Sequence, residues 1–448
     1  MLTFNRFVSC FLFLLVVCSC SDKNNMDDTI PEANEDNELL SHFDNDKNIN
    51  VIDNDTAYYS PVIDFSYSDY DYQISKKNEM FAIRELYNCS FGENFVFSPY
   101  NISLTYSIMI NAADENVEQM LKDYMGIDDG ISNEINSAYY QKTIGLLNGN
   151  SYSTDKKYMF QNGSFVSVDK LHITNKLWVK EHSYINKSFV SVLKRFSTDI
   201  KGVNFLRDNN EINSEAIEYS DNENASIDYS DYSSINSIMT NSIIFSQKWK
   251  DHYDRFYKQS FANMDKDSVR CTKFGFNGDA NLYSCGFYYV IELPYKDEDY
   301  SMFVIYPCFT DMRFDYVLLD INNKGGLSNI IGDMKTTLVD FRMPEFCIKK
   351  SSPYTGGQKF DLGLSLSNVS NNAFCLNNVY QICSVKVDCD GTSAIASVPF
   401  PPGATETPPD PSLPEKPVEL DVDRPFWFVI RNNKLSTIIF AGFVSNIL

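Results

Sequence analysis

Gly391-Thr392-Ser393-Ala394-Ile395-Ala396-Ser397-Val398 is a run of small, uncharged residues. Successive side chains of an extended chain point to opposite faces, so Thr392, Ala394, Ala396 and Val398 would share one face and Ser393, Ile395 and Ser397 the other. Nothing in the run is too bulky or too charged to enter a buried, pleated surface as a strand. Directly after it come Pro399, Pro401, Pro402, Pro408, Pro409, Pro411, Pro414 and Pro417. Proline fixes φ and lacks an N–H, so this stretch reads as an exposed, stiff and extended loop. A segment fit to become a buried strand therefore leads straight into one that is poorly suited to it.

Outward from that junction, the second half of the chain is rich in strands. Ser237–Phe245, Tyr288–Leu293, Ser301–Tyr306, Thr336–Phe341, and the closing pair Phe426–Arg431 and Thr437–Val444 carry β-branched and aromatic residues between turn signals. The first half reads as helical. Regular structure is expected to begin near Lys76, where Met80, Ile83 and Leu86-Tyr87 recur at helical spacing. Ser98-Pro99 opens a second helix, and Asp114 and Gly126 bracket a third with Val117, Met120, Leu121 and Tyr124 on one face. Phe189, Val192, Leu193 and Phe196 mark another. Helices early and strands late argue for α+β rather than repeated βαβ units.

Hydrophobic residues make up 43% of the 448 and aromatics 14%, enough for a large core, while the net charge of −22 argues against a nucleic-acid partner. Residues 21–75 hold fourteen Asp or Glu against Lys23 and Lys47, which is −12 of that −22. A segment so rich in Asp and Asn reads as an acidic, disordered spacer. Before it, residues 1–20 combine Arg6, an apolar run from Phe7 to Val17 and Cys18-Ser19-Cys20, an export signal too short to span a membrane. Val17-Cys18-Ser19-Cys20 resembles the lipobox of bacterial lipoproteins, in which the last Cys is acylated. Two readings stay open: a lipidated Cys20, anchoring the chain to a bacterial outer membrane, or ordinary signal-peptide cleavage and secretion. Beyond Cys10, Cys18 and Cys20, Cys89, Cys271, Cys285, Cys308, Cys347, Cys375, Cys383 and Cys389 remain, equally consistent with disulfides and with buried thiols. None forms a CxxC pair and the chain has four His, so no metal site is expected.

Several segments, in order, resemble the serpin family. Asn94-Phe95-Val96-Phe97-Ser98-Pro99-Tyr100-Asn101-Ile102-Ser103 is similar to its "N-x-x-FSP-x-SI" motif, and Thr174-Asn175-Lys176-Leu177-Trp178-Val179 to "ANxLFV". Thr240-Asn241-Ser242-Ile243-Ile244-Phe245 with Lys248-Trp249 resembles "VNAIYFKGxW"; Glu292-Leu293-Pro294-Tyr295 and Met343-Pro344-Glu345-Phe346 resemble "ELPY" and "LPKF". Asp423-Arg424-Pro425-Phe426, Phe428-Val429-Ile430-Arg431 and Ile439-Phe440-Ala441-Gly442 resemble the family's ending, and Gly391–Ser397 its "GTEAAAA" hinge.

The resemblance implies a serpin domain over residues 76–448, with three β-sheets, eight or nine helices, a metastable native state and an exposed reactive-centre loop at residues 391–424. It implies an inhibitor of serine proteases, with cysteine proteases a further class. The protease cuts the loop and forms an acyl-enzyme, and the hinge then inserts into the main sheet. Ser98, Asn241, Trp249 and Gln381 stand at the places where that sheet opens. Gln381 replaces a family His that bonds Asn241, and such a contact is expected to survive because an amide both donates and accepts. Cys389 replaces an acidic residue two places before the hinge glycine.

The loop is longer than usual, and Pro399, Pro401 and Pro402 lie where the inserted strand would continue, so a non-inhibitory serpin-fold binding protein stays open beside the inhibitor. Ala404-Thr405-Glu406 is the candidate scissile region. Lys416 is the loop's basic residue and is followed by Pro417, so an elastase-like or broad-specificity protease suits it better than a trypsin-like one. The expected molecule is a monomer, uses no cofactor and meets a membrane only through lipid on Cys20. The histidines, His42, His172, His182 and His252, carry no catalytic motif, so an enzyme is not expected.

Overall fold

A computed structural model describes residues 66–89, 92–147, 171–220, 235–265, 267–308, 314–353, 378–393 and 416–447. Short pieces at 160–161, 164–165, 364–366, 369–370 and 375–376 complete the described residues. The first part is α1 (Asp69–Cys89), β1 (Phe95–Phe97), α2 (Pro99–Ala112), α3 (Glu115–Met125), α4 (Asn133–Leu147), β2 (Phe160–Gln161), β3 (Ser164–Phe165), β4 (Leu171–Lys180), α5 (Lys187–Arg195), β5 (Thr198–Val203) and α6 (Asn209–Ser220). Then follow β6 (Ser237–Lys248), β7 (Asp254–Ala262), β8 (Ser268–Ser284), β9 (Tyr288–Pro294), β10 (Tyr300–Pro307), α7 (Phe314–Asn323), α8 (Leu327–Gly332), β11 (Lys335–Pro344) and β12 (Phe346–Pro353). The chain closes with β13 (Leu364–Ser365), β14 (Cys375–Leu376), β15 (Asn378–Asp388), β16 (Gly391–Ser393), β17 (Val418–Asp421), β18 (Phe426–Asn432) and β19 (Thr437–Val444).

Helix starts follow their caps. Ser98 Oγ accepts from the Asn101 N–H ahead of Pro99, and Asp114 accepts from the Asn116 and Val117 N–H groups. Gly126 ends α3 in the left-handed conformation. The first helix corrects the expected boundary, since α1 starts at Asp69 rather than near Lys76 and residues 69–75 are not spacer. A capping box explains it: the Ser68 N–H donates to the Asp71 carboxylate at 2.7 Å and the Asp71 N–H donates to Ser68 Oγ at 3.3 Å. Lys142 pairs with Asp71 at 2.5 Å, tying the acidic first turn to α4. Acidic residues that look like spacer by composition are thus favourable at a helix N-terminus.

A six-stranded sheet has the order β12-β15-β16-β6-β4-β5. A second, nine-stranded path runs β1-β19-β18-β10-β9-β8-β11-β17, with β7 also on β8. This path is two arrays joined where Leu282–Ser284 of β8 meet Tyr289–Ile291 of β9. Among the described residues, three large sheet arrays and eight helices, with the small pairs β2-β3 and β13-β14 beside them, match the expected α+β architecture. Helix α2 is apolar nearly all round and buried along its length apart from Asn111, which places it centrally beneath the six-stranded sheet and against β19. Its Ser103, Thr105 and Ser107 hydroxyls reach carbonyls one turn back, so no hydroxyl is stranded in the core.

Candidate functional site

The site is a join between two strands. β15 and β6 run parallel and pair directly over Asn378–Ile382 against Ile238–Ser242. At their other ends they are held apart by β16, which pairs antiparallel with both. Gly391, Thr392 and Ser393 face Lys248, Gln247 and Ser246 on one side and Asp388, Val387 and Lys386 on the other. Between the two registers, Cys383–Val385 of β15 and Ile243–Phe245 of β6 belong to neither. The sheet is therefore split like a partly opened seam with the first three hinge residues seated in its mouth.

Each side chain at the mouth has a reason to be there. Gly391 passes so close to β6 that a Cβ on it would lie 2.1 Å from the Gln247 carbonyl oxygen. Thr392 is buried, and its hydroxyl lies 2.7 Å from that of Tyr295, which burial keeps protonated by pushing its pKa far up. Trp249 donates its indole N–H to the Asp388 carbonyl at 2.8 Å and its backbone N–H to the Asp390 carbonyl at 3.2 Å. Its ring stacks on Tyr295 at 4.6 Å, so one aromatic pair fixes both the turn before the hinge and the floor beneath it. Cys389 lies within that turn; burial and then Asp390 raise its thiol to about 11, against the lowering pull of Arg255.

Below the seam the expected link between Gln381 and Asn241 is absent, although the two are register partners. Gln381 turns to the backbone of Ser98, accepting from its N–H and donating to its carbonyl, both at 2.9 Å. The Ser98 N–H precedes α2 and has no intrahelical partner, while the Ser98 carbonyl also accepts from the Ile102 N–H at 3.2 Å, so one flexible amide satisfies the orphan donor and adds a second bond to the cap carbonyl. Asn241 instead donates to Asn175 Oδ1 at 2.6 Å, and its own Oδ1 lies 3.0 Å from the Thr105 hydroxyl. Thr105, Asn175 and Tyr295 were not singled out in the sequence, although Asn175 and Tyr295 lie inside quoted motifs. Among the described residues, the thiols of Cys271, Cys285, Cys308, Cys383 and Cys389 are free.

The far end of the loop is anchored too. β17 pairs parallel with Val339–Arg342 of β11, and its Asp421 meets the fully buried Lys273 at 2.5 Å. Tyr306 Oη lies 2.9 Å from both the Asp421 carbonyl and Asp423 Oδ1, and Arg424 Nε donates to Asp423 at 2.7 Å. The expected exposed loop of 391–424 is thus too long at both ends, because residues 391–393 and 418–421 are strands that find partners outside the loop. Residues 394–415, including Ala394, Ile395, Ala396, Ser397, Val398, Ala404, Thr405, Glu406 and the prolines up to Pro414, lie outside the described residues, as do Cys20 and the segment through Phe65. His182 and His252 are exposed on separate turns.

Residues 76–447 match the family model described as Serpin (serine protease inhibitor). A serpin-like protein of Methanosarcina acetivorans is 23% identical over 420 residues, 88% of this chain and 92% of its own. Iripin-2 of Ixodes ricinus is 24% identical, over 84% of this chain and 94% of its own. The native structure of tengpin, a thermophilic serpin, covers 87% of this chain and 97% of its own with a TM-score of 0.67 at 20% identity. At such identity, structural likeness shows the fold alone. With that fold and a family match across most of its length, the chain belongs to the serpins, whose members are in general protease inhibitors rather than catalysts.

Proposed function

We propose that this serpin inhibits a serine protease, with cysteine proteases a further class, by letting it cut the loop and then drawing the hinge into the six-stranded sheet. The observation that carries this reading is β16, already lodged between β6 and β15. Continuing its register puts Ala394, Ile395 and Ala396 opposite Phe245, Ile244 and Ile243, where the two flanking strands have not yet paired. Thr392 points into the core, so Ala394, Ala396 and Val398 follow it inward as small residues entering a buried face. Ser397 and Val398 then fall opposite Ser242 and Asn241 on one side and Ile382 and Gln381 on the other, so seating them already requires the Asn378–Ile382 pairing with Ile238–Ser242 to begin unzipping.

Cleavage is expected at Ala404-Thr405-Glu406 by an elastase-like or broad-specificity enzyme acting on a monomer. A secreted or cell-surface location follows from the export signal. If lipidated at Cys20, the protein would stand off the membrane by about 40 Å of acidic coil. A second reading rests on Pro399, Pro401 and Pro402, which would enter the sheet just past Val398 and each delete a ladder bond. In that reading the loop is cut without being trapped, and the fold serves as a binding module. Incubation with pancreatic elastase and with trypsin, followed by boiling in detergent, separates the two. A covalent complex with elastase supports the inhibitor; cleaved chain without complex supports the binding module. Chief cleavage after Lys416 contradicts the assigned protease class.

A further inference from the structure

Strand β8 has two partners in succession on one edge, β7 as far as Gly275 and β9 from Leu282 onward. Residues 276–281 have no strand on that edge among the described residues. β9 leaves β8 at Ile291 and is next met at Pro294, whose carbonyl accepts from the Lys250 N–H. The space left between β8, β9 and the turn after β6 is a cavity of about 570 Å³. That lies within the roughly 300–1,000 Å³ usual for small-ligand pockets.

Its lining has a definite chemistry. Tyr253 and Phe276 stack with ring centres 5.1 Å apart and contribute aromatic wall. Asp251, Asp279, Glu292 and Glu298 also line it. Lys250 answers Glu298 at 2.9 Å, but the other three form no ion pair with a described residue. Glu292 is held in place by Asn281 at 2.8 Å and by Ser301 at 2.6 Å, so one carboxylate is preorganised rather than mobile. Carboxylates repel anions, whereas aromatic faces and fixed carboxylates together favour an organic cation with an apolar stem.

We infer that this cavity binds a guanidinium or primary ammonium group on a short aliphatic stem, the chemistry shared by small polyamines and by arginine side chains. It adjoins the hinge, since the Tyr253 ring is tilted against that of Trp249 at 5.5 Å, but the inference concerns binding alone and stands whether or not the loop inserts.

The test is calorimetric titration of the full chain, without protease and at low salt, with agmatine and with an acetylated Gly-Arg-Gly amide. Saturable one-to-one binding is expected, weakened at least about fivefold in an Asp251→Asn/Asp279→Asn double variant and tightened in Lys250→Ala, where Glu298 loses its competing cation. Both aspartates are exposed, and an unchanged melting temperature would show that the double variant is folded. Tighter binding of agmatine marks a free amine as the ligand and tighter binding of the peptide marks a side chain; either supports the site. No saturable binding of either probe, or equal affinity in wild type and folded double variant, overturns it.

Discussion

The Thr392 hydroxyl meets Tyr295 where both side chains are buried. Thr392→Val keeps the shape and removes the bond, and should lower stability by about 1 kcal/mol while leaving complex formation intact. Thr392→Arg should do the opposite, because a guanidinium cannot be seated in that slot without burying its charge. The variant is expected to be cut as fast as wild type yet yield no covalent complex in a detergent gel. Gln381→Leu strands the Ser98 N–H and leaves the Ser98 carbonyl only its bond from Ile102, so denaturant melts should show a loss of about 1–3 kcal/mol. Asp423 illustrates the charged side of the same region. Burial raises its pKa, but bonding to Arg424 and Tyr306 outweighs that and holds it below the usual carboxylate value. Its ionised form therefore stabilises the fold above about pH 4, and that contribution is lost as the pH falls through the depressed folded value. Between about pH 5 and pH 3 the wild-type melting temperature should drop more than that of Asp423→Asn. At this scale, residue identities were legible in the sequence while their partners were not. Gln381 was expected to reach Asn241, and only the position of the α2 N-terminus beside β15 explains why it serves Ser98 instead.

Among the elements, β16 and β17 hold the two ends of the segment that the proposed mechanism requires to move. Replacing Pro399, Pro401 and Pro402 together by Ala restores three strand N–H groups, and should raise the fraction of cleaved molecules that trap protease, read from the ratio of complex to cleaved chain. β17 is held partly by Lys273, a lysine with no solvent exposure whose carboxylate partner is Asp421. Asp421→Ala takes the carboxylate from that ammonium, and because the Asp421 side chain is half exposed water can partly replace it, so the expected cost is about 1–2 kcal/mol. Long elements with clear periodicity, such as β6, β10, β18 and α3, could be read from the chain to within a few residues. β16 could not, because a three-residue strand exists only through partners about 140 positions upstream and just before it. Lys273 was equally invisible, since a lysine in a strand reads as solvent-facing until the neighbouring strand supplies an acid. The start of α1 was missed because a capping box inside an acidic run looks like more of the run.

For the molecule as a whole, the fold places a seam that is closed at one end, wedged at the other, and unpaired between. Closing it with a full strand would add ladder bonds and bury apolar surface that the uncut loop, tied down at Val418–Asp421, cannot supply. The family's sequence motifs carried most of this architecture because they mark the sheet's strands and helix entries. The degree of hinge insertion lay beyond them, because on the proposed mechanism it is a balance between two packings of one segment. The melting temperature of the intact protein compared with that of protein nicked between Ala404 and Glu406 measures that balance most directly. A rise of at least about 10 °C on nicking is expected if residues 392–398 complete the sheet. An unchanged or lower melting temperature after complete nicking would contradict insertion and leave this serpin without its trap.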